Sequence, residues 1–202
     1  MKLPTKKQCY ELLKKYKTPQ NVIDHIESVT KVALIIASKL NEKGINVDED
    51  IVERASLLHD LVKYVDFPNF DRFKEDSEIV AYYEEMKKKY GTMKHIKASA
   101  EIVKEEGFEE LSEVMLRHGF MVIGTEKGPQ TWEEKILNYA DKRVKHDKIV
   151  DLQARFDDLR ERYFYLKHKN YDITLVDDKE KLFFDLEKEL FASLDIKPGE
   201  IA

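Results

Sequence analysis

The sequence holds one cysteine, Cys9, so it can form no internal disulfide and no sulfur-based metal cage. Breakers are scarce as well, with 7 glycines and 5 prolines in 202 residues, and the apolar spacing is helical nearly throughout. No apolar run approaches the ~18 residues of a membrane span, so no membrane partner is expected. Met1 to Lys7 lacks the apolar core of a signal peptide, and the cytoplasm is the expected location. An excess of positive charge is missing too. Net charge is -5, and the 37% of charged residues alternate in sign rather than forming blocks. That pattern reads as a solvated, ion-pair-laced helix surface. It argues against a dedicated nucleic-acid surface, which would want a basic excess.

What is present is an all-α chain with 42% apolar residues, long enough to bury a substantial core. One domain over 1–202 is the simplest organisation, with a helical extension over 151–202. A first helix is expected from about Thr5 to Lys17. Thr18 and Pro19 then supply an N-cap and a first-turn proline for a second helix that ends at Gly44. Its apolar stripe is Val22, Ile26, Val29, Ala33, Ile36 and Leu40, with His25 at the border. Asp48 caps a third helix running to about Tyr64. Further helices are expected over Ser77 to Lys89, Met93 to Glu106 (capped by Thr92) and Glu109 to Arg117. The loop from Gly119 to Pro129 is the candidate mobile lid. Thr131 to Glu134 is a capping box, opening a long helix that continues to about Lys167. Asn170 to Asp178 reads as a linker before a last helix from Lys179 to Leu194. The Phe-rich face of that helix either closes the core or forms a homodimer contact.

The chemistry centres on His59-Asp60. Leu57, Leu58, Leu61 and Val62 surround the pair, and an unpaired carboxylate in apolar surroundings is costly. A divalent cation satisfies both side chains, since imidazole nitrogen and carboxylate oxygen are both good ligands. Taken alone, the pair also fits a core histidine bonded to a neighbour, with the aspartate reaching solvent. Other residues fall at telling places. His25 starts one helix, His95 starts another, His118 ends a third, and Asp141 sits on an apolar face. Such ends can converge when helices pack antiparallel. His146 and His168 lie among lysines and read as surface residues. Tyr82, Tyr83, Phe120 and Trp132 read as core rather than as a base-stacking platform.

The order His25, then His59-Asp60, then Asp141 resembles the metal-binding signature of the HD-domain phosphohydrolase superfamily. The flanks DHIESVTKVALIIASKL (24–40), RASLLHDLVKY (54–64), HIKASAEIVKEEGFEELSEVMLRHGF (95–120) and ILNYADKRV (136–144) resemble its ligand-bearing segments, and the likeness covers roughly residues 20–150. The resemblance implies a compact all-α bundle. It implies that His25, His59, Asp60 and Asp141 are the common ligands. His95 and His118 match the extra ligands of two-metal members, with Asp60 bridging. One departure is Leu61-Val62, where the family has a small residue before the lysine.

Such a donor set suits Mn, Fe, Co, Ni or Zn better than Mg, as one ion or two. With open coordination positions, the cation lowers the pKa of water and supplies hydroxide near neutral pH. Phosphoryl transfer also needs cationic groups around the phosphoryl oxygens. Lys63 lies four residues after His59 and three after Asp60, so it shares their helical face, and is the leading candidate for a catalytic and substrate-binding cation. Arg143 is a further substrate-binding candidate, and Lys94, Lys97 and Arg117 are weaker ones. The expected function is metal-dependent hydrolysis of a small phosphate ester, with a mono-, cyclic or polyphosphate nucleotide as the expected substrate class. An HD-fold di-iron oxygenase and a non-catalytic nucleotide-binding regulatory module are the alternatives.

Overall fold

The computed structural model describes residues 1–165 and 174–201, which form an all-α fold. The chain runs through α1 (Lys6–Lys15), α2 (Gln20–Glu42), α3 (Glu49–Leu58), α4 (Ser77–Tyr90), α5 (Lys94–Glu105), α6 (Glu109–Leu116) and α7 (Trp132–Lys142). α8 (Leu152–Tyr165) and α9 (Thr174–Phe191) follow. α2 is the central element. Its stripe of Val22, Ile26, Val29, Ala33, Ile36 and Leu40 is buried, with Val32 and Ala37 beside it. α3 and α7 pack against α2. Burying one large aliphatic side chain contributes about 1.5–3 kcal/mol, so this stripe fastens together three helices that carry or lead into the site.

Several helix starts follow local chemistry, while α2, α5 and α6 open without a side-chain cap. Capping boxes open α1 (Thr5 with Gln8) and α7 (Thr131 with Glu134), and Asp48 accepts from two N–H groups at the head of α3. Thr18 does not cap α2. Pro19 holds the N-cap position, and the Thr18 hydroxyl donates to the Leu61 carbonyl at 2.7 Å. A buried turn carbonyl needs a donor, and here that need takes the threonine. Thr92 does not cap α5 either. Asp66 Oδ1 accepts from the His95 N–H at 3.2 Å.

The helix expected to run to Tyr64 stops at Leu58. From there backbone bonds span three residues, from Leu61 N to Leu58 O, Lys63 N to Asp60 O and Val65 N to Val62 O. Ser99 Oγ accepts from the Val62 N–H at 3.2 Å. Val62 has φ -121° and is fully buried. No positive φ is required at this position, so valine fits without strain.

The long helix expected to reach Lys167 breaks at Lys142. A short ribbon pairs Val144 with Ile149 and Lys145 with Lys148. Asp151 Oδ1 then caps a fresh helix, α8, by accepting from the Ala154 N–H at 2.7 Å. His168 and the first part of the expected linker lie outside the described residues, and 174–178 already belong to α9. Phe156, Val176, Phe183, Leu186 and Leu190 of these last helices are buried, and Phe120 stacks on Phe183 at 5.9 Å.

The expected lid is clasped against the body of the fold. Arg117 Nη1 donates to Gly128 O at 3.0 Å, and Lys179 Nζ of α9 donates to Ile123 O at 2.7 Å. Gly124 has φ +74°, and a Cβ there would lie 2.6 Å from Leu182 Cδ1. Gly124→Ala is therefore expected to cost about 1–3 kcal/mol of stability, read as a lower thermal midpoint. An unchanged midpoint would show that the loop is not held against α9. Among the described residues no helix is long and apolar enough to cross a membrane.

Candidate metal centre

Helix ends bring His25, His59, Asp60, His95, His118 and Asp141 to one place. His25 lies near the start of α2, and His59 and Asp60 form the turn after α3. His95 is in the first turn of α5, His118 follows α6, and Asp141 is near the end of α7. His25 Nε2 is 3.1 Å from Asp141 Oδ1 and 3.8 Å from Asp60 Oδ2. His59 Nε2 is 3.6 Å from Asp60 Oδ2 and 3.8 Å from Asp141 Oδ1. His95 Nε2 is 3.1 Å from Asp60 Oδ1. Ligand atoms of His25, His59 and Asp60 lie within 4.8 Å of one another, and so do those of Asp60, His95 and His118. Asp60 is common to both groups.

The rings are oriented from behind. The Nδ1 atoms of His59, His118 and His25 lie 2.7, 2.5 and 2.7 Å from the carbonyl oxygens of Ser56, Met115 and His146. His95 Nδ1 lies 2.6 Å from Asp66 Oδ2. Each oxygen can only accept, so the proton belongs on Nδ1 and the Nε2 lone pair is left for the site. His59 Nε2 is buried and has no hydrogen-bond partner among the described residues. An orphaned ring nitrogen beside two carboxylates fits a divalent cation better than any other arrangement of these groups. Asp66→Asn removes the charge behind His95 but keeps an acceptor for the α5 N–H. It is expected to weaken metal affinity roughly 10- to 100-fold in chelator competition. Wild-type affinity in this variant would exclude an orienting role.

The electrostatics agree with that fit. Burial pushes the His118 pKa down to about 3 and the His59 pKa below its usual range, so both rings are neutral near pH 7. Burial alone would raise the Asp60 carboxyl, but Lys63, His59 and His95 outweigh it and hold it well below the usual carboxylate range. Burial opposes the Asp141 carboxylate too, and Lys142, His25 and His59 hold it far down. His95 is pulled both ways. Burial and Lys63 lower its pKa, while Asp60 and Asp66 raise it and prevail.

A cleft of about 720 Å³ opens over the cluster. Lys63 lines it although no helix continues there. It opens a 3-10 turn (Lys63–Asp66), and its Nζ is 3.3 Å from Asp60 Oδ2 and 2.8 Å from His95 Nε2. Arg143 is a correction. Its guanidinium points into the core and donates to Tyr139 Oη at 2.6 Å, Val150 O at 2.5 Å and Pro198 O at 3.0 Å. Its neighbour Lys142 lines the cleft instead and pairs with Asp141. Successive helical positions point about 100° apart, so only one of the two can face the cluster. Lys94, Lys97 and Arg117 do not line the cleft, whereas Arg72, Arg155 and Arg162, unremarked in the sequence, do. Asp151 as a helix cap was the signal that a separate helix carries the last two. Tyr83 is buried, Tyr82 and Trp132 pack against the core, and Phe120 lines the cleft. His146 is exposed, as expected of a surface residue, but its carbonyl, at φ 59°, holds His25.

Residues 22–144 match the family model for the HD domain. The chain belongs to the HD-domain family. The HD domain is an all-α fold of the metal-dependent phosphohydrolase class, and its members bind divalent metals. The six clustered side chains all lie inside the matched HD segment. The chain is also similar to a tRNA (cytidine(56)-2'-O)-methyltransferase of Picrophilus torridus, 26% identical over 167 residues, covering 77% of this chain and 40% of that protein. A protein of the same name from Thermoplasma volcanium is 24% identical over 172 residues, covering 79% of this chain and 42% of the relative. The HD chain thus spans about two fifths of the length of these relatives. No solved structure matches it.

Proposed function

We propose that this HD domain hydrolyses a small phosphate ester, with a nucleotide as the substrate class. The observation that carries the reading is the set of four imidazoles, each with Nδ1 tied down and Nε2 turned toward Asp60 and Asp141, above which the cleft opens. His25, His59, Asp60 and Asp141 would hold one divalent cation, and Asp60, His95 and His118 a second. Mn, Fe, Co, Ni or Zn suit these donors better than Mg. When bound, a cation of this class supplies Lewis acidity to a phosphoryl oxygen and lowers the pKa of water.

The chain's own residues bind and orient around it. Lys63 lies at the cleft floor and offsets negative charge on the phosphoryl oxygens as the ester bond breaks. Lys142 does the same from the Asp141 side. Asp60 and Asp141, held ionised, keep the Nε2 atoms and the cationic side chains in register. Phe120, on the cleft wall, offers an apolar face to the remainder of the substrate. The relatives' names concern methyl transfer to tRNA. This chain spans about two fifths of their length, so the hydrolytic reading rests on the site and the family.

The test is phosphate release from a panel of nucleotides by protein loaded with Mn or Co, with elemental analysis of metal per chain. Metal uptake with phosphate release is expected. Oxygen uptake by the iron-loaded protein without phosphate release would replace the reading with oxidative cleavage. Nucleotide binding without turnover across these metals would leave a binding module.

A further inference from the structure

Beyond residue 144 the chain leaves the matched HD segment, yet α8 returns to the metal cleft. It contributes Arg155, Leu159 and Arg162 to the wall, spaced four and three residues apart. That spacing puts them on one helical face. The Arg155 side chain is 13% exposed, and its Nη1 donates to Asp158 Oδ2 at 2.9 Å. Its Nε is buried and has no acceptor among the described residues. Asp158 cannot neutralise this face alone, because the same carboxylate also meets Arg162 and Lys145. At the cleft floor Asp60 and Asp141 pair with Lys63 and Lys142, although Asp141 also attracts Arg155, and Asp24 and Asp147 line the cleft as well. Among the described residues the α8 wall therefore sets Arg155, Arg162 and Lys145 against the single carboxylate of Asp158, and one guanidinium keeps an unfilled donor. A phosphate is the acceptor that a planar guanidinium fork fits best.

We propose that Arg155, with Arg162 beside it, forms a second phosphate subsite in this cleft, so that the site selects substrates carrying one phosphate group besides the one hydrolysed. The inference rests on the phosphohydrolase reading for the first phosphate. It does not depend on that reading for the binding it asserts. Nucleoside 5'-diphosphates and nucleoside 3',5'-bisphosphates share the required chemistry and differ in where the second phosphate sits.

The test compares adenosine 5'-monophosphate, adenosine 5'-diphosphate and adenosine 3',5'-bisphosphate on the full chain. Equilibrium binding is measured by calorimetry on metal-free protein, and phosphate release is measured with Mn. One doubly phosphorylated nucleotide is expected to bind roughly ten- to hundredfold more tightly than the monophosphate, the scale of charge-assisted hydrogen bonds. Which of the two shows the preference locates the subsite. Arg155→Ala should erase most of that preference, and Arg155→Lys should restore part of it. Arg160→Ala should keep it, because Arg160 pairs with Asp157, Asp177 and Glu180 and does not line the cleft. Circular dichroism of each variant checks that α8 persists. Equal affinity for all three nucleotides in the wild type, or an undiminished preference in Arg155→Ala, would overturn the subsite. Absence of phosphate release with a preference that depends on Arg155 would overturn the hydrolase reading and leave the subsite standing.

Discussion

Asp60→Asn is expected to remove metal uptake and turnover together. Asp60 belongs to both donor groups and is almost wholly buried, with Lys63, His25, His59 and His95 around it. Asparagine keeps the volume and loses the charge, so folding should survive while the donor set does not. Lewis-acid assistance is worth several kcal/mol, and each 1.36 kcal/mol is tenfold in rate, so kcat/KM should fall roughly 10³-fold or more. A thermal readout needs no substrate. A metal at a thousandfold excess over its Kd stabilises the folded chain by about 4 kcal/mol. The wild type should show that upward shift on adding Mn or Co, and Asp60→Asn should show little of it. A variant that still binds two metals and turns over normally would refute the assigned centre.

Arg143→Ala should produce the largest loss of stability of any single change near the cleft. Its guanidinium is buried and joins α7 to the ribbon through Val150 and to the C-terminal turn through Pro198, with Tyr139 and Glu187 beside it. Removing one partner from such a buried charged network costs about 3–5 kcal/mol, because the groups left behind stay desolvated without partners. For a domain of this size that corresponds to a midpoint lower by roughly 10 °C. Thermal melts of the metal-free protein measure it. A small stability change together with a large rise in KM would return Arg143 to the substrate-binding role that its sequence position suggested.

Lys142 and Arg143 show why part of the site was legible and part was not. A cation beside Asp141 was legible from the sequence, since basic residues follow it directly. Which of the two faced the cleft was not, because α7 ends there and its rotation is set by packing against α2 and α9. Lys63 reached the site by a different backbone path from the one expected. A helix through Tyr64 and the observed turn both place a residue three positions on near Asp60, so the right neighbour followed from the wrong local geometry. Asp66 and the His146 carbonyl carried no sequence signal. A backbone oxygen has no identity in a sequence, and an aspartate in a loop is ordinary until a ring nitrogen lies 2.6 Å away. The separate helix α8 was readable in principle from Asp151. Continued helical spacing past Lys142 hid the break.

By itself the sequence determined the all-α class, the apolar stripe of α2 and the capping box at Thr131, and its resemblance to the HD superfamily picked out six imidazole and carboxylate side chains as candidate donors. These are local properties. A 3.6-residue period, a hydroxyl before a helix and the chemistry of imidazole or carboxylate do not depend on distant parts of the chain. Tertiary structure alone decided that the six donors converge, that each histidine presents Nε2, that Lys142 rather than Arg143 faces the cleft, and that α8 brings Arg155 back to it. Those outcomes depend on crossing angles, turn reversals and acceptor oxygens supplied from far along the chain, and only the packed core holds them in place.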